Sequence, residues 1–173
     1  PWDVVSGGDT KVINGFSGNN MYTYKYSHES GLNLTVGYIN ASDAVTDVSS
    51  TSYGVEFTGM EGLTLGYAQQ DVEVTTGTKG DESTMYAKYA IGGITVGIQM
   101  SENDMESGTD YESTGIGISY QVNDDLTVSY GSHEIEAVSS GNPDQETAAI
   151  GISYTMGSLS IGAAVHDGDN ITN

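Results

Sequence analysis

The sequence contains no cysteine, no arginine and only two prolines among its 173 residues. Without cysteine, the chain can form no disulfide framework, thiol nucleophile or thiolate metal site. It also has no stretch near the roughly 18 to 20 consecutive apolar residues that a transmembrane helix requires. A membrane protein built from strands is still allowed, because a membrane β-strand needs an apolar residue only at every second position.

Basic residues are scarce as well. Four lysines stand against 24 acidic residues, which gives a formal net charge of −20. Such a chain repels nucleic acid and favours cations, so we expect no nucleic-acid partner. The abundant residues are glycine (24) and tyrosine (12), and this composition favours β structure.

A short pattern recurs five times along the chain: a turn residue, then an apolar, a polar and an apolar residue. The copies are spaced by 31, 31, 32 and 33 residues and begin at Gly31, Gly62, Gly93, Asp125 and Ser158. Before each copy, apolar and polar residues alternate, which is typical of a strand with one apolar face. We therefore predict five hairpins, that is, ten strands of about 8 to 11 residues.

The predicted connections alternate between short and long. Long loops are expected near residues 41–50, 70–82, 101–112, 132–146 and after 166. Tight turns are expected near residues 28–31, 58–62, 92–93, 123–125 and 157–158. Short connections on one side and long ones on the other are the pattern of bacterial outer-membrane barrels.

The apolar face of the predicted strands carries no charged residue. A lipid-facing band requires this, but so does the inner face of a soluble β-sandwich. Aromatic residues favour the membrane, because they form two belts where lipid meets water. The turn-side belt is Tyr26, Phe57, Tyr89, Tyr120 and Tyr154. The loop-side belt is Tyr22, Tyr38, Tyr53, Tyr67 and Tyr130. We predict an all-β, antiparallel up-and-down transmembrane β-barrel, of which this chain supplies about ten strands.

The strand sequences resemble the Gram-negative porin family, particularly porins of alphaproteobacterial type. The similar motifs are Gly-Leu-Thr-Leu-Gly-Tyr at 62–67 and Thr-Gly-Ile-Gly-Ile-Ser-Tyr at 114–120, and the pattern covers residues 20–166. The resemblance implies a sixteen-stranded barrel in the cell outer membrane. It also implies a homotrimer that contacts the lipid bilayer and lipopolysaccharide and passes small hydrophilic solutes and ions.

The resemblance divides the chain into three parts. Residues 1–19 are expected to be the tail of a long loop folded into the pore, with Asp3 and Asp9 as constriction residues. Residues 20–166 are the barrel wall, and 167–173 begin an outer loop. We therefore expect a fragment that lacks N-terminal strands and the last strand. Porins commonly carry an arginine cluster opposite the folded-in loop, and this chain has none.

The polar face is predicted to line a water-filled lumen, and its small residues favour a wide barrel. Charged residues there, namely Lys25, Glu56 and Lys88, are expected near the periplasmic mouth, where they tune ion selectivity. The remaining predicted pore-lining residues are Asn33, Thr35, Thr64, Thr95, Gln99, Ser119, Thr127 and Ser129.

No catalytic motif is present, so we expect a channel and not an enzyme. No resident cofactor is expected beyond loosely bound calcium in acidic outer loops, for which Asp167-Gly168-Asp169-Asn170 and Asn103-Asp104 supply oxygen ligands. The leading interpretation is a passive porin with cation preference. Two alternatives stay open: a soluble or surface-anchored acidic β domain (an adhesin or calcium-binding module), and a monomeric barrel for a specific sugar or siderophore.

Overall fold

The computed structural model describes residues 21–40, 48–74, 79–106, 108–138, 141 and 143–171. These residues form ten β-strands and nothing else of regular structure. The strands are β1 (Met21–Ser27), β2 (Leu32–Ile39), β3 (Val48–Met60), β4 (Leu63–Val74), β5 (Lys79–Ile91), β6 (Ile94–Met105), β7 (Tyr111–Gln121), β8 (Leu126–Ala137), β9 (Gln145–Met156) and β10 (Leu159–Asp169).

All ten strands belong to one sheet, and each strand pairs antiparallel with its neighbours in the sequence. The predicted up-and-down meander is therefore confirmed. Within the described residues, β1 pairs only with β2 and β10 only with β9, so the sheet is not closed. No helix long and apolar enough to cross a bilayer occurs in the part of the chain that the structure describes.

The register places the predicted apolar residues together on one face. Leu34 pairs with Tyr26 of β1 and with Val55 of β3, and the same alternation continues to β10. These side chains face the surroundings: Tyr22 is 75% exposed and Ile150 is 65% exposed. Among the described residues, the only buried hydrophobic side chains are Ile135 and Ala149. The sheet therefore has no conventional core, and its apolar face needs a lipid environment.

The tight turns lie where the sequence predicts them. Gly31, Gly62, Gly92 and Gly157 adopt positive φ angles at four of the five turns, a conformation that glycine reaches without steric cost. At the fifth turn, the Asn123 side chain accepts hydrogen bonds from the backbone N–H groups of Asp125 and Leu126. The register shifts between Phe57 and Met60, so β3 continues through a bulge towards Gly62.

The loop-side ends of the strands differ from the prediction. Most of the described residues in the segments predicted as loops near 70–82, 101–112 and 132–146 belong to strands, and strands reach 13 residues. The 8 to 11 residues expected from the alternation are thus too few for most strands. The reason is physical: beyond the lipid both faces of a strand meet water, so alternation ceases while the ladder of backbone hydrogen bonds continues.

The predicted division of the chain into three parts stays a prediction. Strand β10 extends to Asp169, so the first three residues of the expected outer loop, 167–169, belong to a strand. Residues 1–19, including Asp3 and Asp9, lie outside the described residues, and their predicted role at a constriction stays a prediction.

Candidate pore wall

The polar face of the sheet holds every predicted pore-lining residue from β1 to β8. Residues that pair directly across strands lie on the same face, and the pairings link all eleven positions to that face. Direct pairs are Lys25 with Thr35, Asn33 with Glu56, and Thr64 with Lys88. That these residues line a lumen stays a prediction.

The three charged residues of this set are not grouped. Lys25 pairs with Thr35, Glu56 with Gly66, and Lys88 with Gly97, so each lies in a different row of the sheet. They share the turn-side half of their strands, as the sequence predicts. The wall therefore carries separated charges of both signs and not one charged cluster.

One hydrogen bond spans three strands of this wall. The Tyr86 hydroxyl of β5 donates to Glu56 Oε2 of β3 over a distance of 2.6 Å. Glu56, Gly66 and Tyr86 pair in one row, so the phenol ring lies across Gly66 of β4. A Cβ atom at Gly66 would overlap that ring. Glycine at this position is what allows the ring to lie flat against the wall.

A second polar cluster lies towards the loop side of the same face. Glu82 is 8% exposed, and its carboxylate accepts hydrogen bonds from the Gln70 and Asn103 side-chain amides, the latter at 3.0 Å. These residues are absent from the predicted pore lining because the sequence pattern assigns 70–82 and 101–112 to loops. The signal was nevertheless present: Gln70 continues the two-residue alternation of Thr64, Gly66 and Ala68.

Tyrosines and a glutamine mark the loop-side border of the opposite, apolar face. The hydroxyls of Tyr53 and Tyr67 both donate to Gln69 Oε1, at 2.6 and 2.8 Å. Tyr38 donates to Asn40 Oδ1 at 3.2 Å. Each ring thus points its polar end towards hydrogen-bonding partners beyond the apolar band, as expected where lipid meets water.

Acidic side chains form rows beyond this border, on the outward face. The rows consist of directly paired residues of like charge: Asp71–Asp81–Asp104, Glu102–Glu112–Glu136 and Glu134–Glu146–Asp169. We call them the acidic collar. Like charges that pair directly across two strands repel each other and destabilise the sheet. Much of the acidity of the described residues therefore lies on the outward rim and not on the polar wall.

The electrostatics of the collar are clearest at Asp81, which lies four residues beyond Met85 of the apolar band. A hydrogen bond that the protonated Asp81 carboxyl donates to Asp71, partial desolvation, and the charges of Asp71 and Asp104 raise the pKa of Asp81 above its ordinary value. The cause is the pairing of three carboxylates in adjacent strands, which disfavours full ionisation.

The residues suggested for calcium are not arranged as a compact site. Asp167 and Asp169 belong to strand β10, and the Asn103 amide donates to Glu82. Among the described residues, no group of three or more His, Asp or Glu side chains has a geometry that could hold a metal ion. Loosely bound calcium stays an untested prediction.

One of the comparisons with known proteins identifies a family. A family model described as Gram-negative porin matches residues 5–173. No curated protein sequence matches the chain. Solved structures match at low identity, so they show the fold alone.

Three of these structures illustrate the match. A loop L8 deletion mutant of OmpT, an outer membrane protein of Vibrio cholerae, matches with a TM-score of 0.68 and 18% identity, covering 96% of this chain and 66% of that one. The trimer form of in-vitro folded OmpT gives 0.68 and 19%, covering 86% and 54%. An anion-selective porin from Comamonas acidovorans gives 0.71 and 19%, covering 89% and 50%.

This chain thus spans between 50% and 66% of the length of these solved structures. The family match does not favour a soluble or surface-anchored acidic domain. With a family model that covers nearly all of its length and a matching ten-stranded sheet, the chain belongs to the Gram-negative porins, β-barrel proteins of the outer membrane.

Proposed function

We propose that the ten strands form part of the wall of a water-filled channel for passive diffusion of small hydrophilic solutes and ions. The observation that carries this proposal is the division of one continuous sheet into two faces. One face is apolar and uncharged between its aromatic belts, and the other presents Thr, Ser, Gly, Asn and Gln with a few separated charges. Selection would act through pore size and electrostatics, without a chemical step.

Cation preference is the finer part of the proposal. Its support is the net charge of −20, since on the described part of the polar wall Glu56 and Glu82 are balanced by Lys25 and Lys88. The acidic collar adds a negative field near the mouth, which raises the local concentration of cations. An anion-selective porin has the same fold, so ion preference must come from the charges of each chain.

Further features of the proposal come from the family. The channel is proposed to be a homotrimer, in line with the trimer form of OmpT, with the apolar face against bilayer lipid and the outer rim near lipopolysaccharide. Loosely bound calcium in the acidic outer segments belongs to the same proposal, and no resident cofactor is needed for diffusion.

The test is the conductance of the purified full-length protein in planar lipid bilayers. Stepwise increases in current are expected, because each inserted channel adds a fixed conductance. Under a KCl gradient, the reversal potential should have the sign of cation preference. Anion preference would contradict the selectivity proposal alone, whereas a lack of any channel events would contradict the porin function.

The segment itself gives a second test. Residues 1–173 are expected to aggregate or stay unfolded in water and to gain β structure in detergent, because the apolar face and the sheet edges are uncovered. Sedimentation and circular dichroism with and without detergent distinguish these outcomes. A monodisperse β protein in plain buffer would support the acidic soluble domain instead.

A further inference from the structure

A hollow of about 370 Å³ lies on the polar wall between β2 and β5. Gly54 and Ala68 face each other in register and form its floor, since neither projects more than a methyl group. Thr35, Ser52 and Thr84 border the floor with hydroxyl groups. We call this feature the wall hollow. Its volume lies within the range of small-molecule sites.

The two ends of the wall hollow each carry a carboxylate. At the turn side, Glu56 is held by the Tyr86 hydroxyl. At the loop side, Glu82 is held by the amides of Gln70 and Asn103. Tyr86 and Glu82 are four residues apart on β5, which corresponds to about 13 Å at the rise of a β-strand. Glu56 lies two strands from β5, in the row of Tyr86, so the line from Glu56 to Glu82 runs diagonally across Ala68 of β4. The hollow is therefore an elongated trough with one negative group at each end.

Hydrogen-bond acceptors exceed donors at these ends. A carboxylate has about four lone-pair positions, so Glu56 and Glu82 keep acceptor capacity after the contacts above. No lysine, arginine or histidine belongs to the described lining of the hollow. Each end of the hollow therefore presents a carboxylate that can attract a positively charged donor.

We propose that the wall hollow binds a linear organic dication, with one ammonium group at Glu56 and the other at Glu82. The methylene chain between them lies over Gly54 and Ala68, and the hydroxyl groups of Thr35 and Thr84 border it. This inference rests on the proposed channel function, because the hollow is reached through the lumen. It assigns to the channel a class of solute that is retained on the wall during passage.

The experiment measures block of the open channel by diamines of increasing length: ethylenediamine, diaminobutane, diaminooctane and diaminododecane. The protein is the full-length wild type in planar bilayers, with Glu56→Gln, Glu82→Gln and Ala68→Leu as variants. Glu102→Gln is the matched control, because it removes one negative charge from the outward collar and leaves the hollow unchanged. The concentration for half-maximal block is compared across the series.

Diaminooctane is expected to block at the lowest concentration, because its length matches the trough. Glu56→Gln and Glu82→Gln should each raise its half-blocking concentration about tenfold, through loss of one charge-assisted hydrogen bond. Ala68→Leu should raise it similarly by filling the floor while both carboxylates remain. Glu102→Gln should change it far less, because it removes only one of the nine carboxylates of the collar and none from the hollow.

Two results would overturn the inference. Equal block by all four diamines, or an equal effect of Glu102→Gln and Glu56→Gln, would mean that diffuse charge and not the hollow governs the interaction. If Glu82→Gln fails to fold, Glu56→Gln and Ala68→Leu still decide. Channels that open normally in KCl without any diamine block would refute the site and leave the porin function intact, whereas absence of channels would refute both.

Discussion

The Tyr86 hydroxyl lies 2.6 Å from Glu56 Oε2, and the two side chains meet across Gly66 of the strand between them. A glutamate on the wall is thereby fixed in position without a lysine or arginine partner. The arrangement also brings a large ring flat against the wall, where it takes up little of the lumen.

This contact predicts an energetic coupling between Tyr86 and Glu56. In a double-mutant cycle with Tyr86→Phe and Glu56→Ala, we expect a coupling of about 1 kcal/mol in the free energy of unfolding. Urea unfolding of the full-length protein in lipid vesicles gives the four values needed. Tyr86→Phe with Glu102→Ala is the control and should be additive, because Glu102 lies on the opposite face. A coupling of zero between Tyr86 and Glu56 would show that the bond is absent in the folded channel.

The assignment of the two faces predicts opposite results for neighbouring residues of β8. Val128 is on the apolar face and Ser129 on the polar face. Val128→Lys should lower the free energy of unfolding by about 2–4 kcal/mol, because it places a charge against lipid. Ser129→Lys should leave stability nearly unchanged and should shift the reversal potential towards anions. Urea unfolding in vesicles and bilayer recordings check the pair, and an equal loss of stability in both variants would reject the assignment.

The acidic collar predicts a stability that depends on pH. Because the pKa of Asp81 is raised in the folded state, the folded protein holds this proton more tightly than the unfolded chain does. Stability from this group therefore falls as pH rises from the ordinary aspartate pKa through the raised value, and the loss is complete above it. Asp81→Asn should raise the free energy of unfolding by about 0.2–1 kcal/mol at neutral pH, which is the range for cross-strand charge pairs.

The control for this prediction is the same comparison in acid and in salt. Below the ordinary pKa of aspartate, Asp81 is protonated in both states, so wild type and Asp81→Asn should unfold alike. At neutral pH, high salt should shrink the difference, because the collar is solvent-exposed and screened. A variant that is less stable than wild type at neutral pH would mean that the three carboxylates do not repel each other.

The turn glycines predict unequal costs for the same substitution. Gly62 and Gly92 both adopt positive φ, at 76° and 57°. Alanine in this conformation costs about 1–2 kcal/mol at either position. At Gly62 a Cβ atom would also overlap the Ala90 carbonyl oxygen, whereas at Gly92 no atom lies within 4 Å. Gly62→Ala should therefore be the more destabilising of the two in urea unfolding, and equal losses would argue against the close approach of β5 to this turn.

The sequence alone predicts which face of the sheet each strand residue occupies. It does not predict how far the strands extend. Alternation from Tyr22 to Tyr26 or from Leu159 to Val165 reports an environment that is lipid on one side and water on the other. Beyond the lipid, as from Asp81 to Thr84, both sides are polar and the alternation disappears although the strand continues. The acidic composition of these strand ends is therefore indistinguishable from that of loops.

The wall contacts could be predicted only in part. The alternation places Glu56 on the polar face, but its hydrogen bond with Tyr86 depends on the register between three strands, which turn positions alone do not fix. The row through Gly66 is shifted by the bulge after Phe57, a local feature without a sequence signal in the alternation. A different reason applies to the second polar cluster. The sequence does not predict Gln70, Glu82 and Asn103 on the polar wall, because their segments have the composition of loops.

Because the strands pair strictly in sequence order, the hairpin is the unit by which such a sheet can gain or lose strands. In the described sheet each strand pairs only with strands adjacent to it in the chain, so inserting or deleting one hairpin would leave every other backbone pairing, and the face on which every other residue lies, as it is. Loss of a single strand would instead reverse the direction of all that follow and move turns to the side of the loops. A lineage of such channels can therefore change its bore in steps of two strands, by duplicating a segment of about the length of the repeat in this sequence.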